Sequence, residues 1–126
     1  MYSTTADLVG RHGDKIIGGG EKVYPLDVEQ VFDAHPLVAE ATVVGVLDPV
    51  LGERIAAFLV CTDPTSPLDL ERLRAFARER LSGLKMPAAW EIMLELPRNP
   101  SGKVLRRALK DRARQTISPY HSGVTA

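Results

Sequence analysis

Apolar and polar positions fall into two rhythms along this chain, one with helical spacing and one of short apolar runs bounded by turn residues. Val28, Val31, Phe32 and His35 recur at helical intervals after Pro25, a residue suited to a first helical position, until His35-Pro36 ends the pattern. A short helix is predicted over Pro25 to Ala34. The runs Ala41 to Leu47 and Arg54 to Cys61 are rich in β-branched and apolar residues. The turn-forming Asp48-Pro49-Val50-Leu51-Gly52-Glu53 joins them, so they read as neighbouring strands. Asp69 is placed as a helix N-cap, Leu68 and Leu73 as a hydrophobic staple, and Leu70, Leu73, Phe76, Ala77 and Leu81 as one apolar stripe closed by Ser82-Gly83. Trp90 to Leu96 supplies a third strand. Pro97 to Gly102 reads as a loop entering a last helix over Lys103 to Lys110, and periodicity is lost beyond about Arg112.

Ahead of these elements, the first 25 residues are rich in Gly, Thr and charge. They contain Gly18-Gly19-Gly20, which backbone entropy keeps out of helix and strand interiors, so a hairpin or loop is expected. The order loop, α, β, β, α, β, α predicts an α+β fold: a small, mainly antiparallel sheet with helices packed on it, preceded by the Gly-rich hairpin or loop. Two of the helices are able to cover one face of that sheet. Neither an internal repeat nor an internal linker is visible.

Composition narrows the function classes. A chain of 126 residues with 44% hydrophobic and 25% charged positions suits one compact domain, and its formal net charge of +0 leaves no long-range field for nucleic acid or a membrane surface. No apolar stretch approaches the roughly 20 residues of a membrane span. The single cysteine, Cys61, has no partner for a disulfide and sits in an apolar run, which fits a reducing, cytoplasmic setting. His12, His35 and His121 are scattered without carboxylate or thiol at ligand spacing, so no structural metal is expected. A basic end is present in Arg98, Lys103, Arg106, Arg107, Lys110, Arg112 and Arg114, but without interleaved aromatics it reads as a solvated basic helix rather than a nucleic-acid patch.

Two stretches carry candidate chemistry. Leu96-Pro97-Arg98-Asn99-Pro100-Ser101-Gly102-Lys103 places one lysine at the tip of a turn-rich loop before a hydrophobic anchor. Its ammonium is a point charge with three donors, suited to a phosphate or carboxylate arriving from another surface. At roughly 4 Å and an effective dielectric near 20, such a contact is worth about 4 kcal/mol before desolvation. Taken alone, the loop reads as a solvated lysine in a turn. In the second stretch, Asp14 to Pro25, glycines without Cβ let a ligand approach the backbone. Alone this too reads as a flexible hairpin turn, and it matches neither a Walker loop nor a dinucleotide fingerprint.

With Asp48-Pro49-Val50-Leu51-Gly52-Glu53 and Leu84-Lys85-Met86-Pro87, these stretches resemble, in the same order, the C-terminal domain of acyl-CoA synthetases of the adenylate-forming ligase superfamily. The resemblance covers about Asp14 to Asp111. The form Gly-Gly-Glu-Lys-Val-Tyr-Pro is similar to acyl- and aryl-CoA ligases rather than to peptide-synthetase adenylation domains.

The resemblance implies a two-step reaction in which ATP and a carboxylic acid give an acyl-adenylate and pyrophosphate, after which coenzyme A displaces AMP. The lysine matching Lys103 is the catalytic group of the first step. The loop matching Gly18, Gly19, Gly20 and Glu21, with Lys85, serves coenzyme A in the second, after the domain swings about a hinge. Thr5-Ala6-Asp7-Leu8 is similar to the end of the family's ribose-binding segment, which assigns Asp7 and Arg11 to ATP. Val9 to Asp14 aligns either with the residues after that aspartate or with the hinge, in which case Gly13 and Asp14 form the pivot.

Departures are visible: Ala6 replaces a glycine, the stretch before the Gly-rich loop is shorter, and Met86 and Ala88 stand where some relatives carry basic residues. The expected organisation is a hinge or linker region over 1–13, the domain over 14–112 and a flexible tail over 113–126. ATP and coenzyme A are substrates, magnesium arrives with ATP, and none is bound tightly here. Partners are an N-terminal ATP-binding domain, in cis or in trans, without which the chain is not catalytic, and a carrier protein. The alternative is a non-enzymatic module that binds a partner ligase or carrier protein.

Overall fold

A computed structural model describes residues 15–18, 21–50, 52–63, 65 and 69–116. A small hairpin comes first, with β1 (Ile16–Gly18) antiparallel to β2 (Glu21–Val23) and Ile16 opposite Val23. Helix α1 (Pro25–Asp33) follows with its proline at the first turn, close to the predicted Pro25 to Ala34, and buries Val28 and Phe32 one turn apart. The helix stops where expected: Ala34 donates its N–H to Gln30 O as the cap, ahead of His35-Pro36.

The two apolar runs form β3 (Val38–Asp48) and β4 (Gly52–Cys61), a long antiparallel ladder in which Val43 faces Ala57 and Asp48 faces Gly52. The turn between them is tightened by Asp48, whose Oδ1 accepts the N–H of Val50 at 2.8 Å. Both faces of this ladder are buried. Val43, Ile55, Ala57 and Leu59 face one core with α1, while Val44, Val46, Ala56, Phe58 and Val60 face a second. Burial on two sides is why the strands read as continuous apolar runs rather than as alternation.

Asp69 caps α2 (Leu70–Arg78), its Oδ1 accepting the N–H of Glu71 at 3.0 Å. Leu73 and Ala77 from this helix, with Leu81 beyond it, join the core on the α1 side. Leu68 of the expected staple lies outside the described residues.

Strand β5 (Ala89–Met93) then pairs parallel to β4, Ala56 beside Ala89 and Val60 beside Met93. The sheet order is β3-β4-β5. The antiparallel expectation holds for the hairpin and for β3–β4. The strand that follows α2 runs parallel because it is reached by a helical crossover rather than a tight turn. It is also shorter than Trp90 to Leu96, since the chain bends at Leu94 and Glu95 and drops Leu96 into the second core. Trp90 packs edge-on against Phe32 with centroids 5.3 Å apart and donates its Nε1–H to Pro87 O at 3.1 Å.

The last helix, α3 (Arg106–Thr116), covers the second face with Leu109 and Ala113. It begins later than the Lys103 expected, because Val104 is held in an antiparallel bridge to Arg98. It continues past the Arg112 boundary, with Ala113 buried one turn after Leu109. Two apolar residues in an otherwise polar helix give too weak a stripe to read.

Among the described residues, the edge of β3 away from β4 meets side chains and no strand. The Val43 N–H donates to Glu29 Oε2 at 2.9 Å, and Val43 O accepts from Arg106 Nη1 at 3.0 Å. Arg106 Nη2 lies 3.1 Å from the same carboxylate. Glu29 is 6% exposed. Burial raises its carboxyl above the ordinary 4.5, opposed by the Val43 N–H and the Arg106 charge.

Replacing Glu29 with Ala strands the Val43 N–H and the Arg106 guanidinium, with an expected loss of roughly 1–3 kcal/mol in denaturant unfolding. Because the folded chain holds the Glu29 proton more tightly than the unfolded chain, this group's stabilisation is full below 4.5 and is lost as pH rises through the raised folded value. The stability advantage of wild type over Glu29→Gln should therefore shrink as pH rises above 4.5. An advantage that grows with pH would show that pairing with Arg106 outweighs burial.

Candidate functional site

The Lys103 loop is tied by its own backbone and by one asparagine. Asn99 Oδ1 accepts from the Ser101 N–H at 3.0 Å, the Ser101 hydroxyl at 2.8 Å and the Lys103 N–H at 3.0 Å. The Asn99 N–H in turn donates to Lys103 O at 2.9 Å. Gly102 takes φ +90°, a conformation that L side chains rarely adopt, and its carbonyl accepts from Arg98 Nη1 at 2.8 Å. Arg98 also pairs with Glu40 on β3. Past Lys103, the Leu105 N–H closes back on Pro97 O at 2.8 Å.

Both ends of the loop are thus fixed to β3, through Arg98 to Glu40 and through Arg106 to Val43, and Arg106 pairs with Glu29 on α1 as well. Lys103 itself is exposed, and its ammonium makes no ion pair or hydrogen bond among the described residues. The arrangement presents one cation on a constrained backbone toward whatever surface approaches. Such a group can neutralise and orient an incoming carboxylate or phosphate.

Of the Gly-rich stretch, Gly18 ends β1 and Glu21 opens β2 directly opposite it, while Gly19 and Gly20 lie outside the described residues. This hairpin is docked at the β3–β4 turn end, where the Ile17 N–H donates to Glu53 Oε1 at 2.9 Å. Lys85 ends a short 3₁₀ turn (Gly83–Lys85) and is exposed; beyond it Met86 packs against the α1-side core and Pro87 is buried. Asp7, Arg11, Gly13 and Asp14 lie outside the described residues. No hydrogen bond or ion pair joins the Lys103 loop, the hairpin and Lys85 to one another among the described residues. No group of three or more His, Cys, Asp or Glu there is placed to hold a metal ion. Among the described residues no helix is long and apolar enough to cross a membrane.

The basic end is largely internal bookkeeping of charge. Arg98 pairs with Glu40, Arg106 with Glu29, Arg112 with Glu91 and Arg114 with Asp111. Lys103, Arg107 and Lys110 of the same stretch make no ion pair among the described residues.

Sequence reasoning missed Glu29, Asn99 and Glu53. A signal for Glu29 existed, since it stands one turn from both Pro25 and Phe32 on the buried side of α1. Asn99 was visible only as a turn former, and nothing local marks Glu53 as a partner of Ile17.

The profile of a protein family described as AMP-binding enzyme C-terminal domain matches residues 27–103. The chain is 46% identical over 99 residues to the fatty acid–[acyl-carrier-protein] ligase ScoC of Streptomyces coeruleorubidus, covering 79% of this chain and 19% of that protein. It is 45% identical over 111 residues to the 2-succinylbenzoate–CoA ligase of Bacillus velezensis, covering 88% and 22%. Its fold is similar to that of o-succinylbenzoate CoA synthetase from Bacillus subtilis, solved with an acyl-adenylate intermediate. The TM-score is 0.70 at 43% identity, covering 79% of this chain and 20% of that one. The chain spans about a fifth of the length of the curated relatives it matches. With a lysine-tipped loop and a Gly-rich hairpin mounted on a small α+β domain, and with relatives that are acyl- and aryl-CoA ligases, the chain belongs to the family of AMP-binding enzyme C-terminal domains.

Proposed function

We propose that this chain is the mobile C-terminal domain of an AMP-forming acyl- or aryl-CoA ligase, with Lys103 serving adenylation and the Gly-rich hairpin serving thioester formation. The observation that carries this reading is the Lys103 loop: an exposed, unpaired ammonium on a backbone fixed at both ends. In the first step a carboxylate oxygen bonds to the α-phosphorus of ATP while the bond to pyrophosphate breaks. Lys103 donates hydrogen bonds to the carboxylate and α-phosphate oxygens, offsetting the negative charge they bring together. In the second step the coenzyme A sulfur attacks the acyl carbon and AMP leaves. Lys103 has then withdrawn, and Gly18, Gly19, Gly20 and Glu21 line the pantetheine path, with Lys85 as the cation for coenzyme A phosphates.

The remaining parts of the site, including the acyl pocket and the magnesium that accompanies ATP, belong to an N-terminal ATP-binding domain in cis or in trans. Without it the chain does not catalyse. The region 1–13 acts as the hinge segment, with Asp7 and Arg11 directed to the nucleotide and Gly13 and Asp14 at the pivot. Cys61 as a free thiol fits a cytoplasmic setting. A second reading makes a carrier protein the acceptor or partner. The name of the Streptomyces relative favours it, as does the absence of a cation at Met86 and Ala88.

Reconstitution with a matching N-terminal domain tests this, reading pyrophosphate release over a panel of carboxylic acids. Lys103→Ala should slow adenylation by about 10²- to 10³-fold, with thioester formation from preformed adenylate changed far less. Equal slowing of both steps would count against the assigned role. A bulky replacement at Gly19 should show the reverse split, and an unchanged thioester rate would remove the hairpin from the coenzyme A path.

A further inference from the structure

We infer that Glu53 is the positioning residue of the Gly-rich hairpin, holding the backbone of β1 at Ile17 and so setting where the hairpin presents its glycines. The functional half of this inference rests on the reading of the hairpin given above. Two strands of three residues cannot hold a fixed position by themselves, and among the described residues the hairpin sends Ile16 and Val23 into the core. Two apolar contacts set its depth, but hydrophobic packing is non-directional and leaves its slide along the sheet open. A directional bond is needed.

Ile17 supplies the donor. Gly18 faces Glu21 across the turn, so the next pair, Ile17 and Lys22, falls at the alternate position of the ladder where backbone groups point outward. The outward Ile17 N–H meets Glu53 Oε1 at 2.9 Å. The outward Ile17 carbonyl lies against Gly52, where an added Cβ would stand 2.9 Å from that oxygen and where φ is +94°. One strand over, a Cβ on Gly45 would come within 2.7 Å of Glu53 Oε2 and 3.0 Å of Ile16 Cγ1. Three positions around the β3–β4 turn are therefore shaped to the hairpin: two by lacking a side chain, the third by accepting its hydrogen bond. Neither the adenylation role of Lys103 nor the core requires a carboxylate at Glu53.

The test pairs a structural with a functional readout. In the 126-residue chain, hydrogen exchange followed by NMR should show the Ile17 amide protected in wild type and in Glu53→Gln, whose amide oxygen still accepts. In Glu53→Ala that amide should exchange about tenfold or more faster, while the core amides of Val43 and Leu59 keep their protection. Unchanged Ile17 protection in Glu53→Ala overturns the clamp. With the N-terminal domain supplied, Glu53→Ala should raise the KM for coenzyme A about tenfold while the adenylation rate stays within twofold, and Glu53→Gln should restore it. Equal slowing of both steps, or no change in either, overturns the positioning role. If no carboxylic acid gives pyrophosphate even with wild type, the proposed function fails instead, and the Ile17 exchange result still decides the clamp. Gly45→Ala, with Glu53 intact, should reproduce the Ile17 exposure; a protected Ile17 there contradicts the close approach.

Discussion

Along its outer edge β3 has backbone groups and, among the described residues, no strand to receive them, and the way Val43 is satisfied organises much of the molecule. A carboxylate from α1 takes its N–H and a guanidinium from α3 takes its carbonyl, and the two side chains pair with each other. A single residue of backbone thereby ties together a helix on one face of the sheet and a helix on the other. The arrangement also closes a sheet edge that would otherwise offer itself to a foreign strand. Burying an ion pair costs desolvation, and the raised Glu29 carboxyl records that cost. What the pair supplies is direction, which apolar packing on the two faces cannot.

That direction reaches the Lys103 loop. Arg106 follows Lys103 at the start of α3, and Arg98 precedes it, so both flanks of the lysine are pinned to the same strand. The Gly-rich hairpin is pinned farther along, at Gly45, Gly52 and Glu53. The Lys103 loop and the hairpin are thus mounted on one ladder and share no hydrogen bond or ion pair among the described residues. On the function proposed above, a rotation of the whole body would exchange one for the other without either changing shape.

Much of this was legible in the chain. Pro25 and His35-Pro36 bracketed α1, Asp69 marked the start of α2, and the two apolar runs declared the long ladder, because each signal acts within a turn or two of its own position. The Lys103 loop was legible for the same reason: Asn99, Ser101 and Gly102 are local turn formers. Pairings across long separations were not. Glu29 meets Arg106 and Ile17 meets Glu53 only after the sheet has formed, and the direction of β5 depends on the path of α2 rather than on its own residues. The reach of α3 was hidden because its buried side rests on Leu109 and Ala113 alone.

Trp90 is the chain's single tryptophan, and it sits where α1, α2 and β5 converge, edge-on to Phe32, with the Arg74 guanidinium 5.8 Å from its ring centre and its indole N–H held by Pro87. Its fluorescence therefore reports on one place only. Emission from this indole should follow the integrity of the α1-side core, to which the hairpin contributes Ile16 and Val23. The domain carries an intrinsic optical gauge of its own foldedness, separable from any signal of catalysis.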